Sequence, residues 1–133
     1  MAKIISELLS ALNHSHEQGI AHRDIKPENI MWGDDDEVRL VDFGLAFEVK
    51  KKSQKHLGTP FFMPPEVILE QPYSTTCDIW SLGCVLYMLV TGELPFNATN
   101  TSELFPKILK AKYKTPACSP ECINLLTKML EID

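Results

Sequence analysis

Residues 20–30 read IAHRDIKPENI, a stretch that sets five ionisable side chains and one amide between short apolar flanks. A buried strand would not tolerate this many charged groups, because each buried charge needs a partner. A surface loop without a function would not need them. The stretch therefore predicts a site at which several polar side chains act together on one ligand.

The composition of the chain makes several classes of protein unlikely. With 133 residues the chain has the length of one domain. Its 13 Lys and Arg and 18 Asp and Glu give a net charge of -5, and most basic residues stand singly. Nucleic acid is therefore not an expected partner, since phosphate binding needs clustered positive charge. The longest apolar run, residues 79–90, is well short of the ~20 residues of a membrane span, so no membrane association is expected.

The cysteine residues indicate the compartment. The N-terminal segment MAKIISELLSAL contains an acidic residue and has the pattern of an amphipathic helix rather than of a secretory signal. The four cysteines are therefore expected as free thiols in a reducing, intracellular compartment, the cytoplasm. Cys118 and Cys122 have a spacing found in metal sites, but no second Cys or His pair lies near them in sequence, so a zinc site is not expected.

Hydrophobic periodicity predicts a mainly α-helical fold with one small β-hairpin. Residues 3–17 are predicted as a helix that ends at Gly19. Residues 30–32 and 38–41 are predicted as two strands joined by an acidic turn. Residues 42–65 lack periodicity and are predicted as a long irregular loop. Further helices are predicted at 66–70, 76–91, 102–112 and 119–130.

The polar residues of the first half match the needs of phosphoryl transfer. This reaction uses a carboxylate to accept the proton of an attacking hydroxyl, a cation near the phosphoryl oxygens, and oxygen ligands for magnesium. Asp24, Lys26 and Asn29 lie within six residues of one another. The hairpin is expected to bring Asp42 back beside Asn29, which completes such a set.

These residues carry a resemblance to a known family. Residues 22–29, HRDIKPEN, resemble the catalytic loop of eukaryotic protein kinases, and residues 42–44, DFG, resemble their magnesium motif. The resemblance continues with GTP at 58–60, PPE at 64–66 in place of A-P-E, DIWSLG at 78–83 and TGELPF at 91–96. It implies that residues 1–133 form a partial protein kinase domain, the C-terminal lobe. It also implies that Asp78, at the start of the central helix, holds the backbone of the catalytic loop.

The resemblance implies roles for the residues of the site, with ATP and Mg²⁺ as cofactors. Asp24 would be the catalytic base, and Lys26 would neutralise phosphoryl charge. Asn29 and Asp42 would hold magnesium, and Glu28 would line the ribose side of the nucleotide.

Four more residues are implied in substrate binding, regulation or packing. Thr59 would hydrogen bond toward Asp24 and favour a serine or threonine acceptor. Arg23 would bind a phosphate on the activation loop, for which Ser53 is the candidate. His22 is expected to serve in packing rather than in proton transfer, because Asp24 already supplies the base.

The position of Lys26, two residues after Asp24, is similar to that in the serine/threonine class. The run GTPFFMPPE and residues 96–113 most resemble the calcium/calmodulin-dependent and calcium-dependent kinases. The expected activity is therefore transfer of the ATP γ-phosphate to Ser or Thr of a protein substrate.

One part of the kinase pattern is not found in these 133 residues. No two of the six glycines lie closer than nine residues apart, so the chain contains no Gly-rich loop, and the N-terminal lobe is expected to be absent. The chain alone is expected to be weakly active or inactive, with a separately supplied upper lobe or a partner kinase as a possible complement. Two alternatives stay open. The chain is a non-catalytic module that docks a substrate or kinase partner near residues 96–113, or it is a partial gene product.

Overall fold

A computed structural model describes residues 1–48 and 59–132 of the chain. Within these residues the fold is mostly helical with short strands, as the sequence predicts. The helices are α1 Ala2–Glu17, α2 Pro65–Ile68, α3 Thr76–Thr91, α4 Thr101–Lys110 and α5 Pro120–Met129. The strands are β1 Ile20–Ala21, β2 Ile30–Trp32, β3 Val38–Leu40 and β4 Phe47–Glu48, and 3-10 turns lie at Pro27–Asn29, Phe43–Leu45 and Pro60–Phe62.

The predicted core helix, α3, lies at the centre of the packing. Its side chains are buried on nearly all sides, which agrees with its continuous apolar sequence. Helix α5 packs closely on α3 at Gly83, where an added Cβ would lie 3.0 Å from atoms of both Met129 and Leu130. Trp80 of α3 stacks on Phe96 with ring centroids 5.7 Å apart. No helix among the described residues is both long and apolar enough to cross a bilayer.

Local signals set the ends of the helices. The φ angle of Gly19, two residues beyond α1, is +74°, a conformation that glycine adopts without strain. Ser119 caps α5 by accepting a hydrogen bond from the Cys122 N–H at 3.2 Å, and Asn100 caps α4 through the Glu103 N–H at 2.9 Å. The caps fit the helices predicted over 102–112 and 119–130.

The predicted hairpin is present. Strands β2 and β3 are antiparallel, with Ile30 opposite Leu40 and Trp32 opposite Val38. Helix α1 packs against β3, which buries Val38. The hairpin therefore joins the C-terminal end of the polar stretch to the core.

A second strand pair was not predicted. Strand β4 pairs with β1, with Ala21 opposite Phe47, inside the region that the sequence predicts as irregular. The prediction for residues 42–65 is wrong at this point, because a strand of two residues is too short to show a period of two. The pair fixes the chain that follows residues 42–44 beside the start of the polar loop, residues 22–29.

Candidate active site

The backbone of the polar loop is held by one buried carboxylate. Asp78, in the first turn of α3, is fully buried. Its Oδ2 atom accepts a hydrogen bond from the His22 N–H at 2.8 Å, and its Oδ1 atom accepts one from the Arg23 N–H at 2.9 Å. The role that the resemblance implies for Asp78 is confirmed in these two contacts.

His16 also contacts Asp78, and this contact was not predicted from the sequence. Its Nε2 atom lies 2.8 Å from Asp78 Oδ2, so the end of α1, the loop and α3 meet at one carboxylate. The signal in the sequence was weak, since His14 and His16 both occupy the last turn of α1. Only the packing of α1 on α3 distinguishes them, because His14 is exposed and His16 faces Asp78.

A neighbouring thiol also faces this carboxylate. Cys77 Sγ lies 3.8 Å from Asp78 Oδ1. Burial, and then the charge of Asp78, raise the pKa of the Cys77 thiol well above its ordinary value. The thiol therefore stays protonated and is a weak donor to Asp78.

His22 is fully buried and uses both ring nitrogens within the protein. Its Nδ1 atom accepts a hydrogen bond from the Asp24 N–H at 3.1 Å, and its Nε2 atom lies 2.9 Å from the Val41 carbonyl oxygen. These partners assign the ring proton to Nε2, which donates to that carbonyl. The ring also meets Phe43 edge to face, with centroids 4.5 Å apart. His22 thus ties the loop to the segment after β3, as expected of a packing residue.

The structure brings Asp24, Lys26, Asn29 and Thr59 together. Lys26 Nζ lies 3.4 Å from Asp24 Oδ2 and donates to Thr59 Oγ1 at 3.1 Å. The Thr59 hydroxyl donates to Asp24 Oδ1 at 3.3 Å. Thr59, 35 residues further along the chain, therefore contacts both Asp24 and Lys26. A hydroxyl group can evidently approach the Asp24 carboxylate at this point.

Asn29 is buried against Asp24 and oriented by it. Its Nδ2 atom donates to the Asp24 carbonyl oxygen at 2.8 Å and to Asp24 Oδ2 at 3.2 Å. Because the amide nitrogen faces Asp24, the amide oxygen points to the opposite side. That oxygen is the kind of ligand that magnesium prefers.

Asp42 follows the hairpin, and the backbone returns to Asn29 as predicted. The Val41 N–H donates to the Asn29 carbonyl oxygen at 2.9 Å. Asp42 is exposed and has a left-handed backbone, with φ 59° and ψ 72°. Its Oδ1 atom accepts a hydrogen bond from the Gly44 N–H at 3.2 Å, which leaves Oδ2 for a cation. One amide oxygen and one carboxylate oxygen fit a magnesium ion that keeps several waters and phosphate oxygens as its other ligands.

Arg23 is the residue that links the loop to β4 and to the segment before α3. Its backbone is also left-handed, with φ 68°. Its guanidinium donates to the Leu45 carbonyl oxygen at 2.6 Å and to the Tyr73 hydroxyl at 2.9 Å, and lies 4.7 Å from the centroid of the Phe47 ring. The implied partner of Arg23, Ser53, lies outside the described residues.

The remaining residues near the site are exposed. Glu28 lies on the 3-10 turn with its side chain in solvent. Met31, Trp32 and Phe43 are 53%, 55% and 45% exposed, although they are large and apolar. Among residues 1–48 and 59–132, no group of three or more His, Cys, Asp or Glu side chains is placed to hold a metal ion. A cation at this site would therefore depend on Asn29 and Asp42 together with ligands from its substrate.

Comparisons with known proteins agree with this geometry. A family model described as "Protein kinase domain" matches residues 1–133. Sperm motility kinase 3A of Mus musculus is 44% identical over 131 residues, which cover 96% of this chain and 26% of that protein. CBL-interacting serine/threonine-protein kinase 2 of Arabidopsis thaliana is 44% identical over 136 residues, which cover 97% of this chain and 30% of that protein.

A third relative, maternal embryonic leucine zipper kinase of Xenopus tropicalis, is 40% identical over 133 residues, which cover 96% of this chain and 20% of that protein. The chain thus spans 20 to 30% of the length of these relatives. The match with the family model covers the whole chain, including the loop around Asp24 and the helix that carries Asp78. On this match, and on the relatives that cover nearly all of its residues, the chain belongs to the protein kinase family.

Proposed function

We propose that this chain carries the substrate-binding and magnesium-binding part of a serine/threonine protein kinase, which transfers the ATP γ-phosphate to a hydroxyl of a protein substrate. The observation that carries the proposal is the cluster around Asp24. Its carboxylate contacts Lys26, Thr59 and Asn29 at once. In phosphoryl transfer, such a carboxylate orients the attacking hydroxyl and accepts its proton.

Each residue of the cluster has a role in this proposal. Asp24 is the catalytic base, and Lys26 stabilises negative charge on the phosphoryl oxygens. Asn29 and Asp42 hold magnesium, and Glu28 binds on the ribose side of ATP. Magnesium held by these two residues would neutralise negative charge on the ATP phosphates.

Thr59 supports the proposed choice of a serine or threonine acceptor. Its hydroxyl lies 3.3 Å from Asp24 Oδ1, on the oxygen that an aliphatic hydroxyl of a substrate would approach. Thr59→Ala removes this contact and the one with Lys26. We expect it to lower phosphate transfer to a serine peptide by about 10-fold, while Thr59→Ser retains most of the rate.

Arg23 is the proposed receptor for a regulatory phosphate on Ser53. Its guanidinium has partners in Leu45 and Tyr73, so a phosphate would have to replace neutral acceptors, which a doubly charged group can do. Peptide mapping of fully active protein tests this role. Full activity with unmodified Ser53 would remove Ser53 from the proposal.

We propose that residues 1–133 are a partial kinase domain and that this chain alone is weakly active or inactive. Within its sequence no Gly-rich loop covers the phosphates, and catalysis of this kind depends on positioning and charge stabilisation. The apolar side chains of Met31, on β2, and of Phe43, next to Asp42 in the chain, are both exposed. We propose that a separately supplied upper lobe or a partner kinase covers them.

Titration calorimetry with magnesium and ATP tests the nucleotide site of this chain. The matched pair of variants is Asp42→Ala and Asp34→Ala, since both remove one exposed carboxylate and change the net charge equally. We expect affinity in the micromolar to low-millimolar range, lost in Asp42→Ala and retained in Asp34→Ala. Equal affinity of the two variants would contradict the assignment of Asp42.

A peptide kinase assay then tests the transfer step. The chain is assayed alone and with an added kinase N-terminal lobe, and Asp24→Asn is the negative control for both. We expect transfer to be slow without the lobe, to rise on its addition, and to fall in Asp24→Asn by at least 100-fold. A rate that Asp24→Asn leaves unchanged would remove Asp24 as the base.

A second candidate function is a non-catalytic module that docks a substrate or a kinase partner. The exposed apolar side chains of Met31, Trp32 and Phe43 favour it. Phe96 takes no part in such docking, because it is 1% exposed and packs between Trp80 and Tyr113. Competition decides between the candidates: a pure docking module inhibits a full-length relative equally well in wild-type and Asp24→Asn form.

We also propose membership of the calcium/calmodulin-dependent kinase group and an intracellular, cytoplasmic location. The relatives that match are compatible with the group and suggest it only loosely. The location is supported by four free cysteines. Fractionation of cells that express a tagged chain tests the location, since recovery in the secreted fraction would contradict it.

A further inference from the structure

Four lysines lie close together at the end of α4 and in the segment that follows it. They are Lys107, Lys110, Lys112 and Lys114, and together they form the lysine patch. Residues 104–120 contain no Asp or Glu, so this part of the chain is strongly basic in a protein whose net charge is -5. The four lysines are not adjacent in sequence, and only the structure shows how their side chains are presented.

Helix α4 presents the first two lysines on one face. Leu104 and Ile108 are buried on the inner face of the helix. Lys107 and Lys110 are three residues apart and exposed, so they lie side by side toward solvent. Lys107 Nζ donates to the Asn97 carbonyl oxygen at 2.7 Å, which fixes the direction of this side chain. The last turn of α4 therefore carries two neighbouring positive charges.

The other two lysines are positioned by the aromatic ring between them. The Tyr113 ring lies edge to face against Phe96 and Tyr87, with centroids 6.0 Å and 5.7 Å apart. The Tyr87 hydroxyl donates to the Lys114 carbonyl oxygen at 2.8 Å. These contacts anchor Tyr113 to the core, while Lys112 and Lys114 on either side of it are exposed. The segment therefore presents its two lysines from a held backbone.

The lysine patch is not neutralised within the protein. Across residues 1–48 and 59–132, no ion pair joins any of the four ammonium groups to a carboxylate. A favourable interaction with the helix dipole accounts for lysines in the last turn of α4, but not for Lys112 and Lys114, which lie beyond the helix. Because like charges this close repel one another, the patch favours a bound anionic group.

A groove beside the patch limits the kind of anion. The groove has a volume of about 390 Å³ and lies between the segment after α4 and helix α5; its lining includes Lys112, Tyr113, Ile123, Leu126 and Thr127. One side chain of a peptide can enter such a concave, partly apolar site, whereas the flat surface of a bilayer cannot. The four lysines extend over at most about 18 Å of chain, which matches about five extended residues.

We propose that the lysine patch and this groove bind an acidic segment of a partner protein. The segment is extended over about five residues, most of them Asp or Glu, and places one apolar side chain in the groove. Its carboxylates pair with the exposed ammonium groups, so salt weakens the complex. This binding surface is separate from the cluster around Asp24, and the proposal does not depend on the proposed phosphate transfer.

Fluorescence anisotropy tests the binding with a labelled peptide of five Asp and Glu residues and one Leu. The variant carries Lys112→Glu and Lys114→Glu. Its matched control carries Lys51→Glu and Lys52→Glu, an equal change of net charge in the other basic run of the sequence. We expect affinity to fall about 10-fold or more in the variant and less than about 2-fold in the control. Raising NaCl from about 50 to 500 mM should weaken the wild-type complex about 10-fold.

Equal losses in variant and control would overturn the proposal, as would equal affinity for a peptide with Asn and Gln in place of Asp and Glu. Thr127→Trp should fill the groove and weaken binding about 5-fold, and unchanged affinity would contradict the assignment of the groove. Vesicles with phosphatidylserine are the competing anion. Vesicle binding that depends on Lys112 and Lys114, without binding of the peptide, would also overturn the proposal.

Two controls separate this result from other effects. Circular dichroism should show the wild-type helix content in each variant, since every substituted residue within the described part of the chain is exposed. Asp24→Asn should bind the peptide with wild-type affinity, because Asp24 takes no part in this surface. Failure of the proposed phosphate transfer would therefore leave peptide binding intact, and weaker binding in Asp24→Asn would contradict the separation of the two sites.

Discussion

Asp78→Asn is expected to weaken the fold and loosen the catalytic loop together. The carboxylate accepts three hydrogen bonds shorter than 3 Å, from His16, His22 and Arg23. Asparagine has the same shape but only one acceptor oxygen and no charge. Two of the three donors meet at Oδ2, so the best orientation of the amide keeps these two bonds and turns its NH₂ group toward the Arg23 N–H.

The cost follows from these contacts. One partly buried N–H left without an acceptor costs about 1 to 3 kcal/mol, and the change from a charged to a neutral acceptor weakens the other two bonds by about 0.5 to 1 kcal/mol each. The free energy of unfolding should therefore fall by about 2 to 5 kcal/mol. That is a large part of the ~5 to 15 kcal/mol typical of a domain.

Urea unfolding followed by the fluorescence of Trp32 and Trp80 measures the loss. Asp34→Asn is the matched control, since it makes the same chemical change on an exposed side chain and should alter stability by less than about 0.5 kcal/mol. Hydrogen exchange adds a local readout, in which the amides of His22 and Arg23 should lose protection before those of α3. A loss below ~0.5 kcal/mol in Asp78→Asn, with both amides still protected, would refute the reasoning.

Three other changes give checkable outcomes. Gly83→Ala should destabilise the chain by about 1 to 3 kcal/mol in urea unfolding despite the better helix propensity of alanine, because the new Cβ would lie 3.0 Å from Leu130 and Met129. Ser119→Ala should cost about 0.5 to 2 kcal/mol through loss of the α5 cap, whereas Ser119→Asp should retain the stability. Burial raises the pKa of Cys84 far above its ordinary value of 9.0, so the unfolded chain releases this proton first as pH rises. Stability is therefore unaffected by this group below about pH 8 and falls above about pH 9 by up to ~1.4 kcal/mol per pH unit, a slope that Cys84→Ala should reduce.

The sequence predicts most of the elements and the composition of the site. Long periodic segments such as 76–91 are recognised because burial of one face repeats over several turns. The pair β1–β4 and the contact of His16 with Asp78 were not predicted, because each depends on residues that are distant in sequence. Thr59 was expected near Asp24 from the resemblance alone, and its additional contact with Lys26 required the three-dimensional structure. The position of Ser53 stays a prediction.

The left-handed backbone at Arg23 and Asp42 has a consequence for selection of variants. Their φ angles of 68° and 59° are strained for any residue with a Cβ, and glycine would relieve each by roughly 1 kcal/mol. A library screened for heat resistance alone should therefore enrich glycine at Asp42 but not at Arg23, where glycine would also lose the guanidinium contacts. Variants with glycine in place of Asp42 would be more stable but would lack the carboxylate proposed for magnesium. In such a screen, thermostability should rise and phosphate transfer should fall at this position.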